Sequence, residues 1–450
     1  MPSGNLQLAY TNNQDVHITG NPQITFFKAV FKRHTNFAIE SVDQTIVGDI
    51  NYGRKFKVIL KHTGDLLHQV YLVVDTKGTS TLGANSTYMN WVNNTAHALI
   101  DKITFSIGDT IIDEHDGVWL DIMSELNDPS HEDWPLLNKH AAKIGYLQSK
   151  TALVKNKLFI PLQFWFCRNP GMAFPIISLD RNQVDIVIEF TFRNFKSLIN
   201  CDGSTSSITN IMPDVNVFAD YIFLEEDERR MFVNSDQEYL IEQVQQLGGC
   251  GSYQNVKSVI DISHFNHPIK ELVWVFRDKT AITENTVASN ISNVDSTLNT
   301  DGSTFTQKND FLNYDCSHGN NQVYIGGEAQ YDHFSTMTLK LNGNDRFVER
   351  NSIYFRTVQP INYHGIFPYK KIYMFSFALR PSDQQPTGTL NFSAIDNATM
   401  VFNGIDTSNT VISVYAVGYN ILRIIKSGSG REGGSWEAVG TGVAGLAYAD

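Results

Sequence analysis

A mainly β protein built from two consecutive sandwich domains is the fold this sequence predicts, and three observations carry it. Short segments of alternating apolar residues recur along the chain, helical patterns are few and short, and strand-turn-strand units of the first half return in the second at an offset of about 200 residues. At 450 residues the chain exceeds one ordinary core. Two domains of about 200 residues would each bury roughly 70% of their unfolded surface, so neither needs a disulfide or metal staple.

The elements follow in order. Gly20 supplies a permissive backbone position and Asn21 precedes Pro22, which disfavours helix, so Thr19 to Pro22 reads as a turn. Beyond it, Ile24, Phe27, Val30 and Phe31 have helical spacing and predict one or two helical turns, with Lys28 and Lys32 sharing another face. From Asn36 the pattern turns extended through Phe37, Ile39, Val42 and Ile46. Strands are predicted at Lys55 to Lys61 (Phe56, Val58 and Leu60 on one face), at Val70 to Val74, and at Val184 to Phe192, where Val184, Ile186, Ile188, Phe190 and Phe192 alternate. Ile103 to Ile111 reads as a hairpin with a Gly108-Asp109 turn. Asp116 to Leu126 carries Val118, Ile122 and Leu126 at steps of four, with Asp116 as N-cap, and predicts a helix; Pro135 to Gly145 is a second candidate. Glu225 to Arg230 is a charge block that ends the first half, read as a solvated connecting helix or turn.

The internal echo has three parts. His62 with Val70, Leu72 and Val74 parallels His264 with Leu272, Trp274 and Phe276. Ile103 to Asp109 parallels Met337 to Asp345, and Leu158 to Leu162 leading to Asn182 to Val187 parallels Ile372 to Leu379 leading to Asn397 to Val401. A shared strand order at one spacing marks a duplicated unit. All antiparallel sandwiches produce hairpins of this sort, however, so on the echo alone duplication and coincidence both stand.

Composition narrows the function. A net charge of -12 argues against wrapping nucleic acid, because neutralising phosphates takes a basic face. Cys167, Cys201, Cys250 and Cys316 show no CxxC pairing and no histidine at zinc-finger spacing, which disfavours a disulfide framework or structural zinc and points to a reducing cytoplasm. Met1 to Asn21 has no apolar core of the signal-peptide kind, and no apolar run is long enough to span a bilayer; a soluble chain outside the usual secretory route is expected.

Several constellations invite a catalytic reading. His264-Phe265-Asn266-His267 sets two histidines three apart, as a metal site on a sandwich could, but Pro268 follows directly and no further ligand is evident. Asp113-Glu114-His115-Asp116 and His131-Glu132-Asp133 could bind a cation, yet loops and helix N-termini produce such clusters without one. No GxSxG, HExxH, Walker A or GxGxxG in strand-helix context is present, so no catalytic residue, metal ligand or cofactor site is assigned. Sequons at Asn85, Asn93, Asn290, Asn391 and Asn397 read as chance matches in an Asn-rich cytoplasmic chain.

An ordered series of segments carries a family resemblance. It begins with His17 to Lys28 and Arg33-His34-Thr35-Asn36-Phe37 through Glu40, and continues with Asp220 to Leu224, Glu238 to Gln243, Phe265-Asn266-His267-Pro268 and Leu341 to Phe347. Tyr373 to Pro381, Pro386-Thr387-Gly388, Asn391-Phe392-Ser393, Ile395 to Ala398, Tyr419 to Arg423 and Gly445 to Ala449 complete it. Spanning nearly the whole chain, the series resembles the major capsid proteins of large icosahedral nucleocytoplasmic DNA viruses, the double jelly-roll group that includes the algal chloroviruses.

That resemblance implies two consecutive eight-stranded jelly-roll sandwiches with short helices in loops. The expected division is an arm at 1–25, a first jelly roll at 26–224, a linker at 225–236, a second jelly roll at 237–426 and a Gly-rich tail at 427–450. It further implies a homotrimer forming a pseudo-hexagonal capsomer that tiles an icosahedral shell. Partners would be neighbouring capsomers, minor capsid and penton proteins and the inner membrane surface, with no direct genome binding. Synthesis and assembly would take place in the host cytoplasm. Loops at Thr76 to Met89, Asp278 to Asp332 and Gly404 to Thr410, rich in Gly, Ser, Thr and Asn, would decorate the outside, the longest as a tower or clamp. Lys28, Lys32 and Arg33 form a basic patch in an acidic protein, placed by the resemblance on an inward-facing arm, Met1 to Phe37. The Gly- and Ser-rich stretch from Ser427 to Gly445 departs from the shortest family pattern and is expected to be flexible alone and ordered against a neighbour. The rival from another class is a carbohydrate-binding or cupin-like jelly-roll metalloenzyme, a monomer or dimer with a polar pocket. A single-jelly-roll minor capsid or penton protein is a second rival, disfavoured by length and echo.

Overall fold

The computed structural model describes residues 3–77, 89–92, 94–127, 155–179, 185–201, 212–248, 254–279, 282, 311–314, 322–325, 328–368, 370–405, 410–426 and 434–439. It divides into two units, Met1–Asn36 and Phe37–Asp450.

The first unit carries two short helices, α1 (Ser3–Ala9) and α2 (Val16–Thr19). Gly20 ends α2 with an extended backbone, and Asn21, ahead of Pro22, takes φ 51, outside the right-handed helical region that a following proline disfavours. The helical turns expected after Pro22 do not form; a turn at Phe26 and Phe27 takes their place. A segment this short cannot meet the cost of helix nucleation without a packed face. Its would-be apolar stripe is solvent-facing, with Phe27 98% and Phe31 84% exposed.

The second unit begins with β1 (Phe37–Asp43), β2 (Thr45–Gly48), β3 (Lys55–Ile59), β4 (Leu66–Thr76), β5 (Met89–Trp91), β6 (Ile100–Ile107), β7 (Thr110–His115), β8 (Asn156–Pro161), β9 (Ile186–Phe192), β10 (Ile199–Cys201) and β11 (Asp214–Leu224). It continues with β12 (Gln237–Gln246), β13 (Gln254–Asn255), β14 (Val259–Asp261), β15 (Pro268–Asp278), β16 (Gln322–Ile325), β17 (Glu328–Tyr331), β18 (Thr336–Leu341), β19 (Asn344–Asp345), β20 (Arg350–Asn351), β21 (Tyr373–Ser376), β22 (Leu390–Asn391), β23 (Ala398–Asn403), β24 (Thr410–Lys426) and β25 (Gly434–Val439).

Their pairing makes two jelly rolls of one topology. In the first half, sheet order β1-β11-β4-β8 faces β2-β3-β9-β6-β7; in the second, β12-β24-β15-β21 faces β14-β23-β18-β19, with β20 also on β18. Strand for strand, β12 stands where β1 does, β24 where β11 does and β15 where β4 does. A register shift interrupts the β11–β4 pairing between Ala219 and Tyr221 and the β15–β24 pairing between Ile269 and Glu271, so a β-bulge occupies a similar place in both sheets. The two hairpins of the echo match as well, β6–β7 turning at Gly108-Asp109 and β18–β19 at Asn342-Gly343, where φ values of 48 and 79 fit a two-residue primed turn.

Alternation sets the faces. β3 reads exposed, buried, exposed, buried, exposed, and β9 buries Ile186, Ile188, Phe190 and Phe192, so both strands put one side into the first sandwich. β15 and β24 differ: nearly every residue of each is buried. A strand covered on both faces reads as a continuous apolar run, and Leu272-Val273-Trp274-Val275-Phe276 is one. Leu272, Trp274 and Phe276 point into the second core with Ile412, Val414 and Ala416. Val273 and Val275, with Tyr415 and Val417, face the other way into an apolar cluster shared with the first half.

Helices fill the connections. α3 (Thr95–Leu99), α4 (Gly117–Asn127) and α5 (Trp165–Arg168) belong to the first half, and α6 (Glu226–Asn234) joins the halves. α7 (Gln359–His364) follows a π-helical turn at Tyr354–Val358. Asp116 caps α4, accepting from the Trp119 N–H at 2.7 Å, as the sequence implies. Gly117 lets α4 start against the backbone of α3, since a Cβ there would lie 2.0 Å from the His97 carbonyl oxygen. α6 takes the place of the expected linker, its charges answered by Arg230–Glu226 at 2.9 Å and Arg229–Asp65 at 3.1 Å.

Three expectations fall wholly or partly outside the described residues. The second helix candidate, Pro135 to Gly145, lies wholly outside them. Within the long Asp278 to Tyr331 loop, β16 and β17 form a hairpin, and Phe311, Leu312 and Tyr314 are buried in the first core, which anchors the connection at those residues. Of the Gly-rich tail, Gly434–Val439 pairs as β25 with Ile421–Lys426 of its own chain. The reason is an open edge: β24 runs eight residues beyond Gly418, where its pairing with β15 ends, and an unpaired strand edge templates a further strand.

Candidate assembly surfaces

One large surface is already in use inside the chain, where the outer face of β12-β24-β15-β21 lies on β7, α4 and α5 of the first half. Tyr415 is its centre. Its ring packs on Trp119 at 5.2 Å between centroids, and its hydroxyl donates to the Asp116 carboxylate at 2.9 Å. Gln246 Nε2 donates to the same carboxylate at 3.0 Å. Beside it, the Val244 N–H donates to Asp113 Oδ1 at 3.1 Å and Gln243 Nε2 donates to the Ile112 carbonyl at 2.6 Å, so β12 is stitched to β7. Arg168 of α5 reaches Glu242 at 2.5 Å, and Lys270 approaches that carboxylate's other oxygen at 2.6 Å.

The strongest electrostatic element lies at one end of this contact. Asp121 on α4 is fully buried and takes Lys370 of the second half at 2.6 Å, with Asn94 Nδ2 donating at 2.8 Å and His97 Nδ1 lying 3.6 Å away. Burial alone would raise its pKa, but the Lys370 ammonium and the His97 imidazole outweigh burial and hold the carboxyl well below the usual range. Burial drives the nearby Tyr314 hydroxyl well above its ordinary value, and the Lys370 ammonium sits 5.1 Å over that ring. A second buried pair, Glu271 with His364 Nε2 at 2.9 Å, ties α7 to β15; burial opposes but His364 prevails, and Glu271 is held low.

Other surfaces are uncovered in the chain. On the outer face of β1-β11-β4-β8, Phe37 is 56% and Ile39 54% exposed, and Tyr71 stacks on Phe218 at 5.6 Å. Around β20 and α7, Val348 is 77%, Val358 40% and Ile361 50% exposed. In the first unit, Lys28, Lys32 and Arg33 are all exposed, beside exposed Phe26, Phe27, Val30 and Phe31.

The sequence candidates distribute as follows. Asp113 and Asp116 are brought together at the joint between halves, where they accept hydrogen bonds, and His115 Nε2 lies 3.0 Å from Asp113. His131-Glu132-Asp133 lies outside the described residues. His264 and His267 lie in the turn before β15; His267 takes φ 68, and burial lowers the His264 pKa. Among the described residues no group of three or more His, Cys, Asp or Glu side chains is arranged to hold a metal. Cys167 is buried and reduced, burial pushing its thiol up to about 12. Asn391 and Asn397 are exposed; Asn391 Oδ1 accepts from the Ser393 N–H at 3.0 Å, and the Asn397 main-chain N–H donates to Asn342 Oδ1 at 3.0 Å. Sequence reasoning missed Asp121, Lys370 and Tyr415. The double-sided apolar runs of β15 and β24 were the available signal, since they announce a second covering layer.

Comparison with known proteins bears on both halves. A family model described as "Major capsid protein N-terminus" matches residues 25–225, and one described as "Large eukaryotic DNA virus major capsid protein" matches residues 228–430. The chain is 33% identical over 475 residues to the major capsid protein of Pyramimonas orientalis virus, covering 100% of both. It is 32% identical over 485 residues to that of Paramecium bursaria Chlorella virus 1, again covering 100% of both. Among solved structures it is similar to the PBCV-1 virus capsid, with a TM-score of 0.70 and 27% identity over 93% of this chain and 100% of that one. The Faustovirus major capsid protein shares the fold at a TM-score of 0.66 and 13% identity, over 91% of this chain and 94% of that one.

Proposed function

The chain belongs to the major capsid proteins of large eukaryotic DNA viruses, structural proteins of the virion shell, and on that premise we propose that three copies form a pseudo-hexagonal capsomer. The observation that carries this reading is the repeated sheet order, which makes one chain two equivalent sandwiches. Three chains then supply six similar wedges, so a trimer can fill a six-coordinated lattice position and tile an icosahedral shell with its neighbours. Solution mass and negative-stain microscopy test it: a mass near three chains with a hexagonal outline is expected, and a monomer at all concentrations overturns it.

The role is assembly rather than catalysis. Support comes from the acidic aromatic joint between the halves, where Asp113, Asp116 and Asp121 serve hydrogen bonding and ion pairing within the chain.

The arm, in this reading, faces inward and contacts minor capsid or penton components or the membrane beneath through Lys28, Lys32 and Arg33. Its support is chemical: exposed cations interleaved with exposed aromatics suit an acidic protein groove or an anionic lipid surface. Deleting residues 1–20 should leave trimers intact and impair particle assembly; normal particles from that variant would reduce the segment to a cap.

A further inference from the structure

One buried carboxylate holds two groups that can react with each other. Asp121 Oδ2 takes the Lys370 ammonium at 2.6 Å, and Asp121 Oδ1 accepts from Asn94 Nδ2 at 2.8 Å. The lysine comes from the second half of the chain and the asparagine from the first, so an amine and a carboxamide of different halves lie side by side. We propose that this is a self-modification site: Lys370 Nζ attacks Asn94 Cγ, Asp121 carries the protons, and the resulting isopeptide bond joins the two halves covalently.

The placement of each group fits that chemistry. Asn94 stands just ahead of α3, where an asparagine ordinarily caps the helix by accepting from a backbone N–H, yet its side chain makes no such bond. It is turned onto Asp121 instead. An ionised carboxylate only accepts hydrogen bonds, so the amide presents its nitrogen, the atom that has to leave. The backbone of Asn94 takes φ 49, a left-handed value that asparagine tolerates better than most residues. Water is largely shut out. Asp121 is 0% and Asn94 9% exposed, and the Tyr314 ring lies 5.1 Å from Lys370 Nζ. The Lys370 side chain keeps 20% of its surface in solvent, which gives a small leaving group a way out.

Atoms and charge balance without a cofactor. In the resting pair the Lys370 ammonium holds Asp121 ionised. Moving one proton across their contact yields an amine and a carboxylic acid, and burial lowers the cost of that move because it penalises both charged forms. The amine lone pair then forms the Nζ–Cγ bond. The Cγ–Nδ2 bond breaks, and Asp121 passes to Nδ2 the protons that Nζ surrenders. One ammonium ion leaves in place of the one consumed, a secondary amide remains, and Asp121 is again ionised. No electron changes hands. Holding both reactants on one carboxylate supplies the proximity that such an exchange lacks between free molecules.

The joint contains its own control. Lys270 lies 2.6 Å from Glu242, but the other oxygen of that carboxylate takes Arg168, and Lys270 also donates to the Pro381 carbonyl at 2.7 Å. A guanidinium is no acyl donor, so Lys270 has nothing to attack.

Peptide mass spectrometry of the full chain, unfolded in guanidinium and digested with trypsin, tests the proposal. The expected product is a branched species in which the peptides carrying Asn94 and Lys370 are joined and together lighter by one ammonia. Cleavage should fail after Lys370 and proceed after Lys270. Lys370→Arg, which keeps a cation on Asp121, and Asn94→Ala should give linear peptides only. Asp121→Asn retains both reactants and should lower the branched yield at least tenfold after equal ageing. Linear peptides alone from the parent chain overturn the bond. A branch lighter by one water overturns Asn94 as the acceptor, since it places the bond on the Asp121 carboxylate. An undiminished yield from Asp121→Asn overturns the part assigned to that carboxylate.

Discussion

The equivalent sheets of the two halves differ in what lies on their outer faces. In β12-β24-β15-β21 both faces are buried: Trp274 and Phe276 fill a sandwich core on one side, and Val273, Tyr415 and Val417 fill the joint with the first half on the other. In β1-β11-β4-β8 the inner face is equally buried through Val70, Leu72 and Val74, but the outer one shows Ile39, Tyr71 and Phe218 partly to solvent. Topology is therefore held in common while surface commitment is not. The duplicated fold commits one sheet's outer face to joining its own halves and leaves parts of the counterpart face open to solvent.

The contrast can be broken by treating matched positions alike. Tyr415→Ala should lower chain stability by about 3–5 kcal/mol, because it empties a site packed on Trp119 and leaves Asp116 and Gln246 without their hydroxyl partner. Phe218→Ala, its counterpart on the open face, should cost about 1 kcal/mol of chain stability, read by urea unfolding; equal losses at the two sites would erase the distinction drawn between the sheets. Next in size is Lys370→Met, expected to cost about 3 kcal/mol by stranding the Asp121 carboxylate in the joint.

Acid should act on the same joint. Asp121 has its pKa held below the ordinary value of 3.8, so its contribution is complete above that value and is lost as pH falls below it, when the folded carboxylate takes up a proton. Glu271, held below its ordinary 4.5 beside His364, adds to the loss in the same direction. Stability measured from pH 5 downward should fall more steeply in the parent than in Asp121→Asn, whose titration is removed. At the small end, Arg230→Ala on the exposed α6 should shift stability by less than about 0.5 kcal/mol, since its pair with Glu226 is solvent-screened.

Much of the architecture was legible because strands advertise themselves by period two. Ile186, Ile188, Phe190 and Phe192 alternate without interruption and form β9; the echo of Val70, Leu72 and Val74 in Leu272, Trp274 and Phe276 is the equivalence of β4 and β15. The helix at Asp116 was legible from its cap and its steps of four. Local pattern misled at Ile24 to Phe31, where helical spacing exists but no surface covers it, and spacing alone does not pay for nucleation. The joint was illegible for a different reason. Asp121 meets Lys370 across 249 positions of sequence, and Tyr415 meets Asp116 across 299, so no window along the chain contains both members of either pair.

Each principal sheet has a late-made strand at its centre. β11, at Asp214–Leu224, sits between β1 and β4, and β24, at Thr410–Lys426, sits between β12 and β15. On a ribosome this imposes a timetable. Neither sandwich can close until that central strand has emerged, and such long-range pairing is slow to form and open to misassembly while it waits. The first half, once closed, must still hold Trp119 and its neighbours for the whole time that the second half is being made. Nascent chains stalled soon after β11 clears the exit tunnel should therefore protect strands β1 to β11 from protease yet bind a hydrophobic dye, and lose that binding only when β24 has been released.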